Sequence, residues 1–233
     1  MKAIILAAGK STRLKPVVHS VPKPMVQING KPILEHIILL LKHYGLVEIY
    51  INLHHLPHII KDYFGDGHHL EVNIVYNFEP EILGTAGGVK GFERYIGSSD
   101  FMVIYGDNYF DYDLNKIINY HYKKKGLGTI VFYEKEDVRL SGVAVLNKKK
   151  RIIRFIEKPK PTEVCSHLVN TGIYVFNHEI FDYIPPNSFL DFGKNIFPEL
   201  IKKNKPIYGI VMEGRLIAVD TPYLYQSAIK GNQ

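Results

Sequence analysis

The chain has no tryptophan and only one cysteine, Cys165, in 233 residues. A lone thiol cannot close an internal disulfide or build a thiolate metal cluster, so neither device holds this fold together. No apolar run approaches the roughly 20 residues that a bilayer-spanning helix needs. Met1-Lys2-Ala3 leads straight into an apolar strand, without the pattern of a signal peptide. A soluble, cytoplasmic protein with no membrane partner is expected. Acid is scarce relative to base: 29 Lys and Arg against 23 Asp and Glu leave a net charge of +6. The basic residues are dispersed apart from Lys123-Lys124-Lys125 and Lys148-Lys149-Lys150, each beside an expected turn. No aromatic-basic module for RNA is visible. The excess therefore reads as a basic surface around an anionic small-molecule site, with no nucleic-acid partner.

With 46% apolar and 22% charged residues the composition is that of a globular protein. For the first two-thirds, strand patterns alternate with helical ones. Strands are expected at 4–6, 47–53, 72–76, 101–105 and 129–133. Helices are expected from Pro32 to Gly45, over 58–64, 85–95 and 114–124. That alternation implies an α/β fold with a mostly parallel sheet. The texture then changes. Strands at 142–147, 152–157 and 169–176 follow with little helix between them, then a helix at 193–203, strands at 207–212 and 216–219, and a closing helix from Pro222. No internal repeat or low-complexity linker interrupts this single domain. Its first half, about 1–135, and its second, about 136–233, differ mainly in the antiparallel character of the latter.

The stretch Ala3–Met25 carries the strongest chemistry. The apolar strand Ile4-Ile5-Leu6 breaks at Ala7-Ala8-Gly9 into a loop bearing Lys10, Arg13, Lys15 and Lys23. Small residues let backbone N–H groups approach a ligand and form an anion-holding concavity. Arg and Lys add positive charge for phosphate oxygens. These residues point to a polyphosphate site at the end of the first strand. Open α/β sheets bind ligands beyond the carboxyl ends of their strands, so the ends of the strands at 4–6, 72–76 and 101–105 are expected to share one cleft.

Leu6-Ala7-Ala8-Gly9-Lys10-Ser11-Thr12-Arg13-Leu14, followed by Pro22-Lys23-Pro24, resembles the L-A-x-G-x-G-T-R-L … P-K-P signature of sugar-1-phosphate nucleotidylyltransferases. Ser11 stands where the second glycine usually sits. Three further segments follow in the family's order. Leu83-Gly84-Thr85-Ala86-Gly87 resembles its base-contacting L-G-T-A-G, Gly106-Asp107 its magnesium-binding G-D, and Phe155-Ile156-Glu157-Lys158-Pro159 its F-x-E-K-P. The resemblance spans nearly the whole chain. It implies a Rossmann-like three-layer fold with a mixed, mostly parallel central sheet and a small antiparallel sugar-binding lobe.

The resemblance also implies roles. Leu6 to Arg13, Lys23, Gly84 and Thr85 would bind the nucleotide. Asp107 and Asp220 would hold Mg²⁺, although Val219-Asp220-Thr221-Pro222 is two residues shorter than the common D-x-G-T-P. Gly142, Glu157, Lys158, Asn170 and Thr171 would contact the sugar phosphate, together with Asp107. Asp191-Phe192-Gly193 and Phe197-Pro198 recur in relatives and would position the last helix. Arg13, Lys23, Asp107 and Lys158 would be catalytic. Taken alone, several of these have plainer readings: a helix-capping turn at Gly84, an Asx turn at Asp107, a surface turn at Glu157-Lys158. His54, His55 and His58 lack acidic or cysteine companions and read as structural. Glu79 by itself reads as an exposed loop acid. As a base contact its acceptor-only carboxylate would suit guanine, which offers two adjacent donors, better than uracil or thymine.

The substrates implied are an NTP and a sugar 1-phosphate. GTP with mannose 1-phosphate is favoured by the loop sequence and short C-terminal part. UTP or dTTP with glucose 1-phosphate remains open, as do N-acetylmuramate and heptose phosphates. A non-catalytic nucleotide-sugar-binding subunit is the alternative of another class; such chains usually lose the lysines and aspartates present here. No acyltransferase tail is visible. A homodimer is left open.

Overall fold

The structure is a computed structural model and describes residues 1–9 and 21–219. The architecture is α/β with a mixed central sheet and two small antiparallel ribbons. The chain divides into two units. One comprises Met1–Ile82, Ile104–Asp111 and the segment from Gly214; the other comprises Leu83–Val103 and Tyr112–Glu213.

In the first unit, β1 (Lys2–Leu6), β4 (Glu48–Leu53) and β5 (Asn73–Phe78) are adjacent and parallel. The last residues of β6 (Phe101–Tyr105) lie beside β1. Ile4, Ile5, Ile49, Ile51 and Leu53 are buried, as expected of strands covered on both faces. Helix α1 (Ile33–His43) presents Ile33, Leu34, Ile37, Ile38 and Leu41 inward at helical spacing. Gly45 at φ +76° ends it in the left-handed conformation that glycine tolerates best. Before it stands a hairpin that the strand pattern did not reveal, β2 (Gln27–Ile28) and β3 (Lys31–Pro32). Its turn, Asn29-Gly30, has φ of 53° and 77°, the pair a type I′ turn demands. Helix α2 (Pro57–Phe64) packs Ile60 and Phe64 inward. A second ribbon pairs β7 (Asn108–Phe110) with β13 (Leu216–Ala218).

In the second unit, β8 (Gly128–Glu134) lies between β11 (Leu168–Phe176), antiparallel, and β12 (Ile207–Val211), parallel. β9 (Gly142–Leu146) pairs antiparallel with β10 (Ile152–Glu157) and with β11. Helix α5 (Leu114–Lys124) is capped by Asp113, whose carboxylate accepts from the Asn115 and Lys116 amides. The helix expected over 85–95 is two pieces, α3 (Gly84–Lys90) and α4 (Glu93–Ile96). Phe92 breaks it, leaving helical geometry with a fully buried ring. The helix expected over 193–203 begins as a π-turn (Phe192–Ile196) and continues as α6 (Phe197–Lys202). Without tryptophan, phenylalanine and tyrosine fill this core. Phe192 stacks on Phe176 and Phe197 with ring centroids 5.0 and 5.6 Å apart.

Candidate active site

In the first unit the carboxyl ends of β1, β4 and β5 are joined by a buried polar chain. The Ala7 amide donates to Asn52 Oδ1 at 2.7 Å. Asn52 Nδ2 donates to Glu79 Oε1, also at 2.7 Å. The His54 imidazole Nδ1 bonds the Glu79 carbonyl at 2.8 Å, which gives that histidine the structural place expected. Glu79 is only 1% exposed, so the reading of an exposed loop acid is overturned. Its carboxylate accepts from the protein's own amide. Asn52, 2% exposed, is the residue that sequence reasoning missed; its signal was one amide in the otherwise apolar end of a strand, Ile51-Asn52-Leu53. The chain of bonds fixes where the backbone turns out of β1 at Ala7 and Ala8, both buried, and reaches the exposed Gly9. Lys10, Ser11, Thr12 and Arg13 lie outside the described residues.

Lys23 and Asp107 meet in the same unit. Pro22 and Pro24 frame a short 3₁₀ turn over Lys23–Met25, closed by the Met25 amide on the Pro22 carbonyl at 2.8 Å. Fixed proline φ angles make that turn stiff, and Lys23 is largely buried in it. Its Nζ stands 3.4 Å from Asp107 Oδ2. Asp107 follows β6, where Gly106 lets the strand end close on β1: the Gly106 amide donates to the Leu6 carbonyl at 2.9 Å. A Cβ on Gly106 would sit 2.9 Å from that same oxygen. The β7–β13 ribbon ends with the Val219 amide donating to the Asp107 carbonyl at 3.2 Å. Asp220, the next residue, lies outside the described residues.

The second unit holds the remaining candidates. Glu157 stands opposite Gly142 in the β9–β10 ladder. A Cβ at Gly142 would lie 2.6 Å from Glu157 Oε2, and one at Gly193 would also strike that oxygen. Both glycines thus leave room for one carboxylate. Burial pushes the Glu157 carboxyl above its ordinary value, and nearby Asp191 adds to the rise, against the pull of Lys158 and Lys194. Lys158 is exposed and takes left-handed backbone, φ 52°, with its amide on the Ser141 carbonyl at 3.1 Å. A lysine in that conformation is uncommon, and such residues cluster at binding sites. Asn170, Thr171 and Gly172 occupy a bulge in β11, where the register against β8 shifts between Asn170 and Tyr174. Bulges re-aim side chains. Asn170 is held by Tyr174 and by the Gly172 amide. Thr171 is buried, and its hydroxyl donates to the Val131 carbonyl at 2.9 Å.

The glycine segment at α3 has a job that the sequence did not suggest. A Cβ at Gly84 would lie 2.6 Å from the Leu190 carbonyl oxygen, and one at Gly87 would collide with the Ser188 carbonyl. Segment 188–192 packs there. Asp191 Oδ1 accepts from the Thr85 amide at 3.2 Å, and Thr85 Oγ1 accepts from the Phe192 amide at 2.9 Å. Asp191-Phe192-Gly193 therefore anchors the glycine segment as well as opening the π-turn that leads into α6.

The protein is thus α/β, with a lysine–aspartate pair in one unit and a glycine-lined carboxylate in the other. The chain belongs to the nucleotidyl transferase family, which it matches over residues 2–216. It is 38% identical, over 99% of its length, to a UTP–glucose-1-phosphate uridylyltransferase of Synechocystis sp., and 33% identical, over 95%, to a mannose-1-phosphate guanyltransferase of Saccharomyces cerevisiae. It spans 63% and 62% of those two proteins. HddC from Yersinia pseudotuberculosis is similar over 100% of this chain and 99% of its own, with a TM-score of 0.84 and 27% identity; its structure is also known complexed with GMP-PN. Among the described residues no helix is long and apolar enough to cross a membrane.

Proposed function

We propose that this chain transfers a nucleotidyl group from an NTP to a sugar 1-phosphate, giving an NDP-sugar and pyrophosphate. The observation that carries the reading is the Lys23–Asp107 pair at the end of β6, with the Val219 amide on the Asp107 carbonyl. In the reaction, a phosphate oxygen of the sugar 1-phosphate attacks the α-phosphorus. The new P–O bond forms as the bond to the β-phosphate breaks, and pyrophosphate leaves. The attacking oxygen is already anionic, so no strong base is needed. The obstacle is repulsion between two anions, and it is met by positioning and fixed charge.

Lys23 neutralises charge at the α-phosphate. Arg13, assigned by its motif, holds the β- and γ-phosphates and the departing pyrophosphate. Lys158 holds the sugar phosphate as a point charge, and Glu157 accepts from sugar hydroxyls. The Ala8, Gly9 and Gly84 amides take the nucleotide, with Lys10, Ser11 and Thr12 assigned by their motif, while the Ala7 and Thr85 amides are held by Asn52 and Asp191. Asp107 offers a partly exposed hard-oxygen ligand, which suits Mg²⁺; that ion binds one or two carboxylates together with phosphate oxygens and waters. Asp220, one residue past Val219, is its proposed second ligand. Magnesium, when bound, supplies charge neutralisation to the phosphates. A cytoplasmic setting suits a reaction that consumes an NTP.

Two substrate pairs have support. The Synechocystis relative favours UTP with glucose 1-phosphate. The yeast relative favours GTP with mannose 1-phosphate, and the GMP-PN complex of HddC favours a guanine nucleotide without naming a sugar. Glu79 no longer argues for guanine, because Asn52 engages its carboxylate. The test is pyrophosphate release with Mg²⁺, each NTP against a panel of sugar 1-phosphates. Release with one of these pairs supports the reading. No release with any pair, alongside retained nucleotide-sugar binding, would replace it with a non-catalytic binding subunit.

A further inference from the structure

The second unit contains a cavity of about 460 Å³ that the proposed reaction does not use. It is framed by Asp100 before β6, Gly126-Leu127 before β8, Asn177 after β11 and Pro206 before β12. Asn170 and Thr171 lie near the start of β11 and Asn177 just past its end. At roughly 3.3 Å per residue the cavity is therefore about 20 Å from that bulge. Backbone bonds make its frame stiff: the Leu127 amide donates to the Pro206 carbonyl at 2.8 Å, and the Asn177 amide to the Leu127 carbonyl at 3.0 Å.

Its floor is polar and ordered. Asn177 Nδ2 donates to Asp100 Oδ1 at 3.0 Å, and His121 Nε2 lies 3.4 Å from Asp100 Oδ2. The other ring nitrogen of His121 meets Thr129 Oγ1 at 3.1 Å. His121 is 2% exposed, and burial holds its imidazole below the ordinary value against the pull of Asp100. The floor therefore presents a carboxylate held by the Asn177 amide and the buried His121 ring. Two lysines stand at the rim on neighbouring backbone segments, Lys125 next to Gly126 and Lys205 next to Pro206. Lys125 forms no ion pair among the described residues, and Lys205 is bonded to Tyr183. Glu179 is the other rim carboxylate.

We propose that this cavity is a second ligand site, for a phosphorylated sugar or polyol: Lys125 and Lys205 hold the phosphate, and Asp100 accepts from the hydroxyls, positioned by Asn177, whose own Oδ1 is taken by the Glu179 amide at 3.0 Å. The volume lies in the range of small-molecule sites. The lining separates its functions: exposed Lys125 and the Tyr183-held Lys205 at the mouth recognise a phosphate, while the Asp100 carboxylate deeper in accepts O–H donors through the lone pairs that Asn177 and His121 leave. A free carboxylate ligand or an apolar ligand would leave the floor unused.

The test is isothermal titration calorimetry of the full chain with glucose 6-phosphate, with inorganic phosphate and glucose as separate titrants. One saturable site for glucose 6-phosphate is expected, with much weaker binding of either control. Lys125→Ala combined with Lys205→Ala should weaken it by about tenfold or more. Asn177→Ala should weaken it as well, and Lys23→Ala and Lys158→Ala should leave it unchanged. The lysines are exposed, so their removal leaves the fold intact. As a second readout, the His121 ring resonances should shift with ligand. No saturable binding, equal binding of inorganic phosphate, or loss on Lys158→Ala but not on the Lys125/Lys205 pair would overturn the proposal. These outcomes do not depend on whether the chain releases pyrophosphate.

Discussion

The buried Asn52 side chain satisfies two partners at once, the Ala7 amide and the Glu79 carboxylate. Replacing it with Leu strands the Ala7 N–H and leaves the Glu79 carboxylate without its 2.7 Å donor. An unsatisfied buried neutral donor costs about 1–3 kcal/mol, and loss of a bond to a charged group about 1.5–3 kcal/mol. Together they predict a loss of about 2.5–6 kcal/mol, a large share of a typical domain's stability. At this chain length each kcal/mol is worth about 2–4 °C in Tm, so calorimetry should show a drop of about 5–24 °C. The double variant Asn52→Leu with Glu79→Leu removes the carboxylate that lost its Asn52 donor but not the stranded Ala7 amide. It should be more stable than Asn52→Leu alone by about 1–3 kcal/mol. Asn52→Asp should do worse than Leu, since it loses the donor and places two carboxylates face to face. A single Asn52→Leu variant within about 0.5 kcal/mol of the parent, the range of an ordinary surface change, would refute the account.

Gly142→Ala should push out the Glu157 carboxylate, because the new Cβ falls 2.6 Å from Oε2; the expected result is a KM for sugar 1-phosphate raised by about 10- to 100-fold, a loss of one or two hydrogen bonds to a charged group, read from initial rates. The Glu157 carboxyl is raised above its unfolded value by burial, so the stability it confers is present at low pH and lost as pH rises through the folded value. Glu157→Gln removes that loss. Its Tm relative to the parent should climb between about pH 4 and neutrality, and a flat or falling difference in thermal scans would contradict the assignment. Lys23→Met should cut pyrophosphate release by about 100- to 1,000-fold while circular dichroism stays unchanged. Gly106→Ala, with its Cβ 2.9 Å from the Leu6 carbonyl oxygen, should cost about 1–3 kcal/mol by overpacking, measured by urea unfolding.

Periodicity and punctuation located most elements. The strand at 101–105, the helix at 114–124 and the strand at 152–157 fall where apolar spacing and caps placed them. The failures have a common cause: pairings between residues far apart in the chain. β7 is three residues long and exists because β13 lies beside it. Thr85 and Asp191 are 106 positions apart, and nothing local to Gly84-Thr85-Ala86-Gly87-Gly88 says that its glycines clear a path for segment 188–191. The break at Phe92 needed a buried ring to win over helical propensity. In the candidate site, contiguous motifs single out Lys23, Asp107, Glu157 and Lys158 as candidates. The supporting contacts, Asn52 under Glu79 and Asp191 under Thr85, were not legible, since a lone Asn or Asp in sequence does not announce its partner.

Asp191 has an implication for anyone who would redesign this protein. One of its oxygens caps Thr85, the other faces Lys194 at 3.6 Å, and its charge also bears on Glu157. A library varied at 191 would perturb two neighbourhoods together, the glycine turn and the Glu157 carboxyl. Any gain selected at one of them would carry a change at the other, so the two cannot be tuned independently through this position.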